Sequence, residues 1–178
     1  MQNKPDVTTF VPFTVVLRDG REVLVREIAE DDKVGLMAAF SKLSADARYA
    51  RFMAAMRQLP EAMLEQATHP SAEREFALVA LATKEKGSSI VGGARYAAAP
   101  GNDVCEFAVT VVDDWHGIGL ASRLLSALID IARRRGYRCM EGYVLSSNTA
   151  MRRLARRLGF AEVPCPDDAT LRVVTLAL

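Results

Sequence analysis

The stretch from Val109 to Ala121, VTVVDDWHGIGLA, most restricts what this chain can fold into. It reads as the end of a strand, an acidic turn, a glycine-punctuated loop and the opening of a long helix. From Leu120 the apolar residues return in pairs at helical spacing: Leu120/Ala121, Leu124/Leu125, Ala127/Leu128 and Ile131/Ala132. Polar residues fill the gaps, so the helix is amphipathic and buries one face. Its first turn leaves backbone N–H groups without partners, and the helix dipole favours an anion there. Gly117 and Gly119 let the main chain approach a ligand because no Cβ intervenes. A diphosphate cradle over Gly117, Ile118, Gly119, Leu120, Ala121 and Ser122 is one reading. A strand-to-helix turn that needs glycine only for its own geometry is the other.

Around this stretch the pattern predicts mixed α/β structure on one sheet. Residues 1–11 read as a loose leader. Phe13 to Arg26 forms two strands joined through Asp19-Gly20, a hairpin signal. A helix opens at Ala29–Asp32 with acids in its first turn, a second is capped by Ser44, and a third spans about 61–67 after Pro60. Strands follow at 75–81, 89–96 and 104–111. The long helix ends near Gly136, a strand covers 138–145, a short basic helix 148–158 and a last strand 171–176. Simple β-α alternation, the mark of a doubly wound nucleotide fold, is absent.

A chain of 178 residues suits one domain, read here as residues 1–178. Half its residues are hydrophobic and its formal net charge is +1, which gives no global drive toward nucleic acid or a membrane. No apolar run is long enough to span a bilayer, and no signal core precedes the first strand, so a cytoplasmic protein is expected. Cys105, Cys139 and Cys165 are odd in number and widely spaced, and only two histidines exist, so neither a disulfide framework nor a metal site is expected. Arginines at 133, 134, 135, 138, 152, 153, 156 and 157 make a basic, aromatic-poor region. It reads as solvated helix surface, with nucleic acid not the expected partner.

Among phosphate-binding loops, a P-loop is excluded because no Gly-Lys-Ser/Thr follows the glycines. A dinucleotide fingerprint matches only loosely, with Ser122 in place of its third small residue. His116-Gly117-Ile118-Gly119-Leu120-Ala121 resembles the acyl-coenzyme A loop of the GNAT acetyltransferases, Arg/Gln-x-x-Gly-x-Gly/Ala, with His at the first position. Asn148 followed by Gly159-Phe160 strengthens the resemblance, which covers roughly residues 22–164. Four segments are similar to the catalytic domain of bacterial Pat-type protein lysine acetyltransferases. These are Leu43-Ser44…Tyr49-Ala50-Arg51-Phe52, Glu106-Phe107-Ala108-Val109, Asp113-Asp114-Trp115-His116-Gly117 and Val144-Leu145…Asn148. In that group a regulatory or synthetase-like domain is often attached, and in a chain of 178 residues none is expected.

The resemblance implies a GNAT fold: one central, mostly antiparallel sheet with a V-shaped splay between the fourth and fifth core strands, flanked by helices. It implies acetyl-coenzyme A as co-substrate and transfer of its acetyl group to a primary amine, a protein lysine in the Pat-type enzymes. The pantetheine arm would add to the splayed strand at Thr110, Val111 and Val112, and the loop from His116 to Ser122 would bind the diphosphate. Asn148 would contact the cofactor arm, although Asn ahead of a helix is also an ordinary N-cap.

A lysine amine has an unperturbed pKa of about 10.4, so a base or water relay must take its proton. Glu106 lies inside an apolar strand and shares a face with Ala108 and Thr110 by alternation. From pattern alone it is a catalytic carboxylate or half of a structural ion pair; the Pat-type resemblance aligns it with the general base. The tyrosine general acid that many GNAT enzymes carry in the last helix is replaced by Ala155. Unassisted departure of the thiolate, or protonation by water, is therefore expected. Two alternatives to a lysine acetyltransferase are a small-amine acetyltransferase and a non-catalytic acyl-coenzyme A sensor.

Overall fold

The computed structural model describes residues 9–178, the side chain of Lys84 excepted. Its strands are β1 (Phe13–Val16), β2 (Glu22–Glu27), β3 (Glu75–Lys84), β4 (Gly87–Ala98), β5 (Val104–Val111), β6 (Cys139–Leu145), β7 (Ala161–Pro164) and β8 (Leu171–Ala177). The helices are α1 (Lys33–Ser41), α2 (Ala45–Phe52), α3 (Glu61–Thr68), α4 (Leu120–Arg134) and α5 (Thr149–Arg157). All eight strands form one sheet in the order β1-β2-β3-β4-β5-β6-β8-β7. Every neighbouring pair is antiparallel except β5 and β6. That one parallel pair holds for three rungs only, Val104–Cys139, Cys105–Met140 and Glu106–Glu141, and the strands then part. Counted from β2 they are the fourth and fifth strands, so the splay lies where the resemblance puts it.

Two layers cover the sheet. On one face α4 packs through Leu120, Leu124, Leu128 and Ile131, all essentially sealed from solvent, against Phe76, Leu78, Val111 and Met140. The i, i+4, i+8 spacing of those leucines makes this helix the principal core element. It comes in close because β4 carries glycine at 92: a Cβ there would stand 3.2 Å from Leu120 Cδ2 and 3.3 Å from Leu124 Cδ1. On the other face α1 covers a smaller cluster of Val79, Leu81 and Ile90. The central strand β3 is buried on both sides and therefore reads as an unbroken apolar run.

Several details differ from the sequence reading. The acids at Glu30–Asp32 form a 3₁₀ turn rather than the first α-helical turn. Asp32 there accepts bonds from both terminal nitrogens of Arg26 (2.8 Å each) and from Ala29 N (2.7 Å). Strand β7 has no counterpart in the sequence pattern; it is four residues long and ends on proline, which leaves little periodic signal. Of the leader, residues 1–8 lie outside the described residues. Phe10 is not loose: it is buried, with its ring 5.9 Å from Phe13 and 5.7 Å from Phe76. Among the described residues no helix is long and apolar enough to cross a membrane.

Candidate active site

The parting of β5 from β6 leaves one edge of β5 without a strand partner. Val112 N donates to Val91 O (2.9 Å), which with the β4 register sets the alternation of β5's peptide groups. Thr110 and Val112 turn theirs toward β4, while Val109 and Val111 turn theirs toward the gap. This corrects the sequence expectation: of Thr110, Val111 and Val112, only Val111 offers main-chain groups to a ligand in the gap. Val112 is buried and lies off the cleft. Phe107 sits where the strands part. Its ring lies over Gly142, where a Cβ would come within 2.5 Å of Phe107 Cε1, and packs on Phe160 at 5.2 Å between centroids.

A cleft of about 1050 Å³ opens beside the gap, lined by Val109 and Val111, the glycine loop, the start of α4 and the segment Leu145–Asn148. Gly117 (φ +74°) and Gly119 (φ +100°) hold left-handed backbone, which a side chain would strain. Gly119 is also the N-cap of α4 and brings no capping side chain. The first intrahelical bond runs from Arg123 N to Gly119 O, so the N–H groups of Leu120, Ala121 and Ser122 remain for an anion. A diphosphate fits this cradle. Gly117, Gly119, Leu120, Ala121 and Ser122 all line the cleft, whereas Ile118 points its side chain at the core and gives its carbonyl to Arg18 N (3.1 Å).

His116 Nε2 bonds Val111 O at 2.7 Å, which ties the loop back to the strand edge. Asn148 lines the same cleft and caps α5, its Oδ1 accepting from Met151 N at 3.1 Å. The N-cap reading of Asn148 and its position on the cleft are therefore compatible.

The hairpin between β1 and β2 reaches the loop, a contact no local pattern announces. Arg21 stacks over Trp115 at 4.0 Å from the ring centroid and donates to Asp114 O (3.0 Å), while Arg18 lies against Gly119 and lines the cleft. On the other side, Ser44 N donates to Asp113 Oδ1 (3.2 Å), which ties the start of α2 to the acidic turn. Arg18 and Arg157 are the cations on the cleft wall that phosphate groups can meet. Most of the basic region is engaged elsewhere. Arg152 pairs with Glu162 (2.6 Å), Arg138 with Asp103 (3.6 Å), and Arg135 bonds the carbonyls of Ala72 and Glu75.

Glu106 stands on the last rung before the gap, directly beside Glu141, and lines a pocket of about 230 Å³ that fills the gap. It is exposed and makes no ion pair among the described residues, unlike Glu75, which holds Arg95 at 3.1 Å. Burial and the Glu141 carboxylate push its pKa above the ordinary glutamate value, with Arg51 pulling the other way. A base raised in this way is better matched to an amine.

Tyr143 lines the same pocket from β6, across the gap from Glu106. Glu141, burial and Glu106 push its hydroxyl above the ordinary tyrosine value. Ala155 faces the core, so the last helix offers no acid; the gap pocket nevertheless holds an O–H donor on β6. Strand alternation would have placed Tyr143 on the face of Glu141. Cys105 lies fully buried on the opposite face of β5, its thiol pushed up to about 12 by burial.

The profile of the acetyltransferase (GNAT) family matches residues 37–160. The acetyltransferase PA5475 of Pseudomonas aeruginosa is 38% identical over 162 residues, which cover 91% of this chain and 87% of that protein. The acetyltransferase Pat of Mycolicibacterium smegmatis is 30% identical over 149 residues, covering 83% of this chain but 44% of that protein. The crystal structure of the GNAT domain of Streptomyces lividans PAT superimposes with a TM-score of 0.84 at 27% identity, covering 94% of this chain and 97% of that one.

Proposed function

Since the chain belongs to the GNAT family and is an acetyl-coenzyme A-dependent acetyltransferase, we propose that it acetylates a protein lysine ε-amine with Glu106 as general base. The observation that carries this reading is the position of Glu106. Among the described residues it is an unpaired carboxylate, on the last rung before β5 and β6 part, in a pocket that shares Val109, Val111 and His116 with the cleft of the glycine loop and Ala108 and Thr110 with the cavity under α1–α3. The lysine acceptor is carried over from the resemblance to the Pat-type enzymes, which the likeness to the Pat proteins supports.

Bound acetyl-coenzyme A supplies an acetyl thioester for the amine to attack. The N–H groups at the start of α4, with Arg18 and Arg157, suit its phosphates. The open edge at Val109 and Val111 suits its amide-bearing arm, and a main-chain N–H there is placed to polarise a carbonyl in the gap. Glu106 takes a proton from the ammonium, and Tyr143 holds an O–H in the cleft into which sulfur departs. In the test, Glu106→Gln keeps acetyl-coenzyme A affinity and slows transfer by about 10²–10⁴-fold. Wild-type rates in that variant would remove Glu106 from the chemistry.

A further inference from the structure

Arg51 stands out among the half-buried arginines because, among the described residues, no side chain or carbonyl pairs with it. Arg26 pairs with Asp32, Arg95 with Glu75 and Arg152 with Glu162. Arg48 donates to three carbonyl oxygens. Arg51, half-buried on α2, has its guanidinium 4.7 Å from the Phe52 ring centroid, but among the described residues no carboxylate pairs with it and no oxygen accepts from it. Burial drives its pKa down to about 10, helped by repulsion from Arg95, with Glu106 acting in the other direction. A desolvated cation without an anion is costly, and proteins ordinarily pair one.

Its location says which anion it awaits. Arg51 lines the gap pocket together with Glu106, and it also lines a second cavity, of about 150 Å³, beneath α1–α3. Leu36, Phe40, Phe52, Leu64 and Ile90 make that cavity apolar, and Ala108 and Thr110 of β5 floor it next to Glu106. A base, an unanswered cation and an apolar hollow thus meet on the face of β5 away from α4. An amine carrying a carboxylate close by satisfies the first two together.

We infer that Arg51 binds a carboxylate of the acceptor, beside the amine that Glu106 deprotonates, with an apolar part of the acceptor in the cavity under α1–α3. This rests on the reading of Glu106 as the base, and it narrows the acceptor to a primary amine with a neighbouring carboxylate. The carboxylate can belong to an apolar α-amino acid or to an acidic residue beside a lysine.

Calorimetric titration of the protein saturated with coenzyme A separates these sources. One pair of ligands is leucine against leucinamide; the other is a lysine peptide with Asp beside the lysine against the same peptide with Asn. In at least one pair the wild type binds the acid about 10–100-fold more tightly than the amide, as a charge-assisted bond allows. Arg51→Met abolishes that preference and leaves coenzyme A affinity and Tm near wild type. A preference in the first pair assigns a free amino acid, and in the second a protein segment. Equal or unmeasurable affinity for acid and amide in both pairs overturns the inference, as does a preference that survives Arg51→Met. Transfer rates of Glu106→Gln decide the base separately, because the binding preference does not depend on turnover.

Discussion

The two faces of β5 divide the labour of the molecule. Cys105, Phe107 and Val111 point toward α4 and are buried in the main core. Glu106, Ala108 and Thr110 alternate with them, face the gap and the cavity under α1–α3, and are either open or half-buried. One face builds the sheet-helix core; the other keeps an acid unpaired among the described residues, small side chains and room for a ligand. Because alternation puts both on the same eight residues, the core positions the chemistry with no loop in between. The lesson is that neighbouring residues here should fail in different ways when changed.

The largest effects test that division directly. Phe107→Ala removes the ring wedged over Gly142 and should destabilise the fold by about 3–5 kcal/mol, lowering Tm by roughly 6–20 °C. Glu106→Gln, one residue away, should leave Tm within a degree or two while costing most of the transfer rate. Equal losses of stability in the two variants, measured by thermal unfolding, would erase the distinction between the faces.

A smaller effect comes from the polar tie that holds the roof over the active face. Burial raises the Asp32 carboxyl, but the Arg26 guanidinium and Ala29 N–H outweigh it and hold the pKa below the usual aspartate value. Asp32 therefore contributes stability above the unfolded value, and the contribution is lost as pH falls through the folded one. Asp32→Asn should cost about 1–3 kcal/mol at pH 7, with the gap to wild type closing in acid. A gap that persists unchanged down to the most acidic pH at which the protein stays folded would mean that the side chain matters for packing and not for charge.

The pH profile sharpens the account of Glu106. It serves as base only when ionised, so kcat/KM falls as pH drops through a pKa raised by burial and by Glu141. Glu141→Gln removes one of those causes and should move the acid limb to lower pH. A limb that moves up, or stays in place, would place another group in control. The smallest effect is expected at Ser44, whose Oγ accepts from Ala47 N (3.2 Å) at the start of α2. Ser44→Ala should cost about 1 kcal/mol by chemical denaturation, with little change in rate.

What could be read from the chain beforehand was whatever local chemistry dictates. Asp19-Gly20 marked the hairpin, Ser44 and Asn148 marked helix starts, and the glycines at 117 and 119 marked the loop, because each answers to φ, capping or dipole. Alternation put Glu106 on the right face for the same reason. The remainder depends on contacts distant in sequence. That Arg18 and Arg21 clamp the loop, that Tyr143 and Glu106 share the gap pocket, and that Arg51 is left without a partner among the described residues follow from how the sheet brings the segments together. The expectation for Thr110 and Val112 failed on peptide direction, which requires the β4 register and not only the strand.

The central claim is that the splay and the glycine loop together form the acetyl-coenzyme A site. Calorimetric titration of wild type and Gly119→Glu with acetyl-coenzyme A tests it most directly. Saturable binding at one site is expected, abolished by the substitution, which adds a side chain at φ +100° and a negative charge where phosphate would sit. Undiminished binding by Gly119→Glu, or none by wild type, would contradict it.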